Sequence, residues 1–128
     1  MDRCILCDIY NKNKEKVIAE NELSFAIYDN FPVNEGHTLI LPKRHFDNFF
    51  DATQEEINQI YSLIHICKEN IDEKYKPTGY NIGVNVGYDG GQTIWHVHIH
   101  MIPQYKGDVK NPRGGIRRIK PELVYYEG

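Results

Sequence analysis

Residues 95–102 read WHVHIHMI, in which His96, His98 and His100 alternate with Val97, Ile99 and Met101. Side chains of a β-strand point to opposite faces in turn, so the three imidazoles share one face, each roughly 6.6 Å along from the last. The three aliphatic residues take the other face, where a helix can bury them. The pattern predicts a strand from Trp95 to Ile102, ended by Pro103. A terminal tag or an incidental surface ladder would supply histidines without chemistry, but a tag is contiguous and does not alternate with large aliphatics. Imidazole titrates near physiological pH, so a cluster of three points to metal ligation, acid–base work or nucleophilic attack.

Working outward, Leu23 to Tyr28 (LSFAIY) and His37 to Leu41 (HTLIL) read as strands, joined by the turn NFPVNEG and closed by Pro42. Thr53 with Glu56 three residues on is a capping-box signature, predicting a helix from Thr53 to near Tyr75. Ile57, Ile60, Tyr61, Ile64, Cys67 and Ile71 are expected on its apolar stripe. Cys67 and His65 belong to this helix, where packing explains them. Tyr80 to Val86 (YNIGVNV) alternates as another strand, followed by the Gly-rich loop GYDGGQ. Strand, strand, helix, strand, strand, with connections too short for parallel crossovers between neighbours, gives an α+β fold on an antiparallel sheet.

At 128 residues, with 41% hydrophobic and 26% charged residues, the chain suits one domain, 1–128, with a core over 1–105 and a C-terminal extension over 106–128. That extension carries six basic residues (Lys106, Lys110, Arg113, Arg117, Arg118, Lys120) against Asp108, Glu122 and Glu127. A net charge of −3 leaves no footprint for a nucleic acid polymer. No apolar run is long enough to span a membrane, and the start MDRCILCDIY has no signal-peptide pattern, so a cytoplasmic home is the expectation. Cys4 and Cys7 form a C-x-x-C pair without the preceding strand that a redox motif expects, which favours metal.

The stretch HVHIHMI resembles the signature of the histidine triad superfamily. The approach to it, NVGYDGGQTIWHVHIHMIPQYKGD, and the upstream block FAIYDNFPVNEGHTLILPKRH are similar to that family's corresponding stretches, in the right order and at the right spacing. The resemblance implies a five-stranded antiparallel sheet with one long helix, pairing into a ten-stranded sheet in a homodimer. It implies that His98, the middle histidine, attacks a nucleotide's α-phosphate, and that His37 hydrogen-bonds His100. His96 completes the triad. Asp29 falls where the family grips the ribose hydroxyls. Asn85, Gln92 and Thr93 fall where it contacts phosphates and leaving group, with Gly90 and Gly91 allowing close backbone approach. Leu6, Ile9 and Ile27 fall where it sandwiches the base, positions that ordinary core residues would equally fill.

A subset of the family closes an N-terminal Cys-x-x-Cys with two histidines, which here implies a structural zinc on Cys4, Cys7, His45 and His96; no organic cofactor is implied. Two thiolates and two imidazoles satisfy a closed tetrahedral centre. Thr93 and the run IPQYKGD lean toward the dinucleoside polyphosphate hydrolase branch, while Cys-x-x-Cys and FAIYD lean toward the nucleotide-binding branch. The expectation is a nucleotide-conjugate hydrolase, with Arg113, Arg117 or Arg118 on distal phosphates. Its rivals are a phosphoramidase, a nucleotidyltransferase, a non-catalytic nucleotide-binding module, and a metalloenzyme using all three triad imidazoles around an open zinc.

Overall fold

The longest element follows from a local rule. In the computed structural model, which describes residues 3–120, Thr53 Oγ1 accepts the Glu56 N–H (3.1 Å) and Glu56 Oε1 accepts the Thr53 N–H (2.9 Å). This reciprocal cap starts helix α2, Gln54–Tyr75. Glu56 is nearly buried, and its remaining oxygen capacity takes the Arg44 guanidinium at 2.8 and 3.0 Å. Arg44 and Thr53 hold its carboxyl below the usual range. Glu56→Ala strands Arg44 and removes half the cap. We expect a loss of about 2–3 kcal/mol by urea denaturation, whereas a loss of a few tenths would reduce the network to decoration.

Helix α1, Ile5–Lys12, and strand β1, Val17–Glu20, precede β2, Ser24–Tyr28, and β3, Thr38–Pro42. Strands β4, Gly79–Val84, and β5, Ile99–Gln104, follow α2. All five strands form one antiparallel sheet in the order β1-β2-β3-β5-β4. The two faces differ in what covers them. On one, Ala26, Ile40, Val97, Ile99 and Met101 pack against Ile60, Leu63, Cys67 and Ile71 of α2. On the other, Phe25, Ile27, Leu39 and Leu41 pack under Leu6 and Ile9 of α1. His100 pairs with Leu39 and Gly83, so it shares this second face. The α2 side is the larger core.

Several boundaries differ from the sequence reading. The strand expected from Trp95 begins at Ile99, and runs through Pro103 to Gln104. The β3–β5 register would set Val97 against Pro42, which has no N–H to donate, so the ladder stops at the Ile40–Ile99 pair. Val97 N–H turns to the Phe46 carbonyl instead (2.9 Å). Strand β4 ends at Val84, short of Val86, and β3 starts at Thr38 and includes Pro42. On α2 the buried stripe is Ile60, Leu63, Cys67 and Ile71, whereas Tyr61 is 63% exposed and Ile57 and Ile64 are half-buried. Helix α1 was not anticipated, and the fifth strand that the resemblance implies is β1. Among the described residues no helix is long and apolar enough to cross a membrane.

Candidate active site and metal centre

Each imidazole of the triad has one nitrogen assigned by a fixed backbone or side-chain partner. His98 Nδ1 lies 2.8 Å from the His96 carbonyl. A carbonyl only accepts, so the neutral ring carries its proton on Nδ1 and leaves Nε2 with a lone pair. His96 Nε2 lies 2.8 Å from the Pro42 carbonyl, which puts its proton on Nε2 and leaves Nδ1 bare. His37 Nε2 and His100 Nδ1 are 2.9 Å apart, bringing together the pair that the resemblance implies. The His98 and His100 rings meet edge-on, with centroids 5.1 Å apart. Among the described residues the only buried side-chain polar atom without a partner is Gln59 Oε1. The unpartnered Nε2 atoms of His98 and His100 are therefore not fully enclosed, although His98 is buried at 8% exposure and His100 half-buried.

Asp29 Oδ2 stands 3.4 Å from His37 Nε2 and 3.9 Å from His100 Nδ1, closer to the imidazoles than its expected ribose role required. Burial, then the His98 and His37 rings, push the His100 imidazole down to about 4, with Asp29 opposing. Burial likewise lowers His37 against the pull of Asp29. Both rings are neutral near pH 7. Because an unfolded histidine binds its proton near 6.5 and folded His100 only near 4, stability is full above pH 6.5 and falls as pH drops toward 4. The urea midpoint should drop between pH 7 and pH 5, and His100→Gln should flatten that drop. An unchanged slope would assign the acid sensitivity elsewhere.

Cys4 caps α1, its Sγ accepting the Cys7 N–H at 3.3 Å. Across the sheet end, His96 Nδ1 lies 3.5 Å from both Cys4 and Cys7 Sγ, and His45 Nδ1 lies 3.5 Å from Cys7 Sγ and 3.2 Å from His96 Nδ1. A tetrahedral zinc with ordinary Zn–S and Zn–N lengths requires S···N edges of about 3.6 Å and N···N edges of about 3.3 Å. Three S···N edges and the N···N edge meet that requirement, all four ligand atoms lie within 4.8 Å of one another, and the bare Nδ1 of His96 is the nitrogen turned toward the thiols. Burial, followed by Cys4, pushes the metal-free Cys7 thiol up to about 11. All four expected ligands thus converge as a possible metal centre. With Nδ1 of His96 directed there, the three triad rings do not converge on one point, so the three-histidine metalloenzyme has no site.

The loop before the triad is built around Gln92. Its Oε1 accepts the Gly87 N–H (3.0 Å), and its Nε2 donates to the Asp47 (2.7 Å) and Ile94 (3.1 Å) carbonyls. A Cβ on Gly90 would sit 2.3 Å from the Val86 carbonyl oxygen, so only glycine fits. Asn85 is half-buried against Gly91, and Thr93 is exposed in a cleft with Arg3, His45 and Trp95. Leu6, Ile9 and Ile27 lie in the apolar cluster under α1. Arg118 folds back onto the Asn111 carbonyl (2.5 Å), while Arg113 and Arg117 are exposed. The tail's Pro121 to Gly128 lie outside the described residues. Sequence reasoning missed the backbone groups that set the tautomers, the Pro42 and His96 carbonyls and the Val33 N–H. Side-chain identity carries no signal for them.

A family model described as the HIT domain matches residues 11–107. An uncharacterized HIT-like protein of Methanocaldococcus jannaschii is 39% identical over 108 residues, covering 82% of this chain and 81% of that one. The bis(5'-adenosyl)-triphosphatase of Dictyostelium discoideum is 34% identical over 98 residues, covering 77% and 66%. The crystal structure of a Zn-bound histidine triad family protein from Mycobacterium smegmatis superimposes with a TM-score of 0.74 at 30% identity, covering 82% and 77%. With most of its length matched in sequence and fold, the chain belongs to the histidine triad (HIT) family.

Proposed function

We propose that this chain is a nucleotide-conjugate hydrolase, acting on dinucleoside polyphosphates through a nucleotidyl-histidine intermediate on His98. The observation that carries the reading is the 2.8 Å bond from His98 Nδ1 to the His96 carbonyl, which leaves Nε2 with a bare lone pair. In the first step Nε2 forms a bond to the α-phosphorus. The bond from that phosphorus to the leaving oxygen breaks, and its electron pair departs with that oxygen. In the second step water attacks phosphorus, the P–N bond breaks, and a mononucleotide leaves. Splitting one displacement into two is the gain of covalent catalysis. His100 and the loop of Asn85, Gly91, Gln92 and Thr93 surround the phosphate, His37 positions His100, and Asp29 holds the ribose. The base lies against Leu6, Ile9 and Ile27. Ile116 packs 3.8 Å from a Cβ built on Gly83, the partner of His100, so the Arg113–Arg118 segment borders the triad face and can meet distal phosphates.

Cys4, Cys7, His45 and His96 hold a structural zinc, whose bound form supplies a cross-link between α1 and the triad and no open coordination position. The protein works as a cytoplasmic homodimer, its sheet edge covered by a second copy. Incubation with adenosine polyphosphates and an adenosine phosphoramidate, with products separated by chromatography, tests the reaction; a nucleotide adduct on His98 by mass spectrometry tests the intermediate. Turnover of the phosphoramidate alone would favour the phosphoramidase. Nucleotide binding without turnover of any compound would leave a binding module.

A further inference from the structure

Two imidazoles, those of His98 and His100, present an open Nε2 on the same face, and either could attack phosphorus. Their opposite roles follow from what each Nδ1 meets. Val33 donates its backbone N–H to His37 Nδ1 at 3.0 Å. A nitrogen that accepts a hydrogen bond carries no proton, so neutral His37 is protonated on Nε2. That Nε2–H faces His100 Nδ1 at 2.9 Å, so His100 Nδ1 is the acceptor and its own proton sits on Nε2. His98 is the mirror case, with Nδ1–H donated to a carbonyl and Nε2 bare.

We infer that the Val33 backbone N–H is the positioning group that makes His100 a hydrogen-bond donor, and so leaves attack to His98 alone. The inference rests on the hydrolase reading. A protonated Nε2 on His100 stabilises charge on a phosphoryl oxygen and cannot attack; the other tautomer would turn a lone pair on that oxygen. The turn presenting Val33 is held at several points. Asp29 N–H donates to the His37 carbonyl (2.9 Å), Phe31 N–H to Asp29 Oδ1 (2.8 Å), and Asn34 Nδ2 to the Pro103 carbonyl (3.0 Å). Gly36 closes the turn at φ +88°, where an added Cβ would press on Pro103 and Tyr75 at 3.1 Å. The same proton bars a cation from the second convergent group, Asp29, His37 and His100. His37 Nε2 becomes a ligand only if the Val33 bond breaks.

The test uses three forms of the full chain: Val33→Ala, which keeps the N–H; Val33→Pro, which removes it; and a valine α-hydroxy acid at position 33, whose ester oxygen replaces it without new bulk. The Val33 side chain is 64% exposed, so its own loss is minor. Imidazole nitrogen NMR shifts at neutral pH report the tautomers, and diadenosine tetraphosphate turnover reports kcat and KM. Wild type and Val33→Ala should show Nε2–H on His37 and His100. The ester should mix tautomers and lower kcat about tenfold with KM within about twofold, one uncompensated hydrogen bond's worth. A wild-type His37 protonated on Nδ1, or an ester form with unchanged tautomers and kcat, overturns the inference. If Val33→Pro and the ester fail to fold, the wild-type shifts still decide it. Absence of wild-type turnover would count against the hydrolase reading alone, because the shifts are read without substrate.

Discussion

His98→Asn should lower kcat by about ten-thousandfold or more while nucleotide affinity changes only a fewfold, because deleting a covalent nucleophile removes the step itself. Asparagine is the informative replacement. Its amide can donate to the His96 carbonyl as His98 Nδ1 does at 2.8 Å, so the local backbone keeps its partner. What disappears is the bare nitrogen. Single-turnover chromatography measures the rate, and calorimetry with a mononucleotide measures affinity. A variant retaining a tenth of the activity would show that phosphorus is attacked by something else, with His100 as the next candidate. A collapse of affinity together with rate would instead make His98 a binding group.

Removing the metal ligands should have the second largest effect. In the zinc-loaded chain, replacing Cys4 and Cys7 together by serine is expected to abolish the bound equivalent and lower Tm by about 10 °C, several kcal/mol in a domain of this size. The reason is mechanical as well as thermodynamic. Helix α1 is short and meets the sheet through Leu6, Ile9 and Tyr10, so a metal bound at Cys4 and Cys7 would tie its N-terminus down. His96 also reaches the centre with its ring while its carbonyl holds His98 Nδ1–H. We therefore expect kcat to fall at temperatures well below the new Tm. Metal content by plasma emission and a thermal scan check both parts, with Cys67→Ala as the control that keeps full metal. Unchanged Tm in the metal-free double variant would strip the centre of a structural role.

The elements legible in the sequence were those specified by neighbours in the chain. The α2 cap needed only Thr53 and Glu56, and the His37–His100 and Cys4, Cys7, His45, His96 groupings came through the family pattern and lie together in the fold. What escaped was specified across space. Strand β1 is VIAE, only 4 residues, at the sheet edge and beside a register shift, so it carries almost no alternation to read. In α1 the Leu6 and Ile9 spacing covers only 8 residues, with the C-x-x-C straddling its start, and the segment reads as metal ligands and base contacts rather than as a helix. The late start of β5 depends on Pro42 in another strand, and Leu63 rather than Tyr61 is covered because it keeps the three- and four-residue spacing that joins Ile60 to Cys67 and Ile71. Tautomers were invisible for a related reason. Each is set by a backbone group whose place depends on the folded turn.

The alternation in β5 also limits how this protein can change. Inserting or deleting one residue within Ile99–Gln104 would invert every later side chain, sending polar groups into the packing beneath α2 and aliphatics to the triad face. Length variation within this ribbon should therefore be tolerated only in pairs of residues, or be pushed outward into the segment after Gln104 and the glycine loop before the triad.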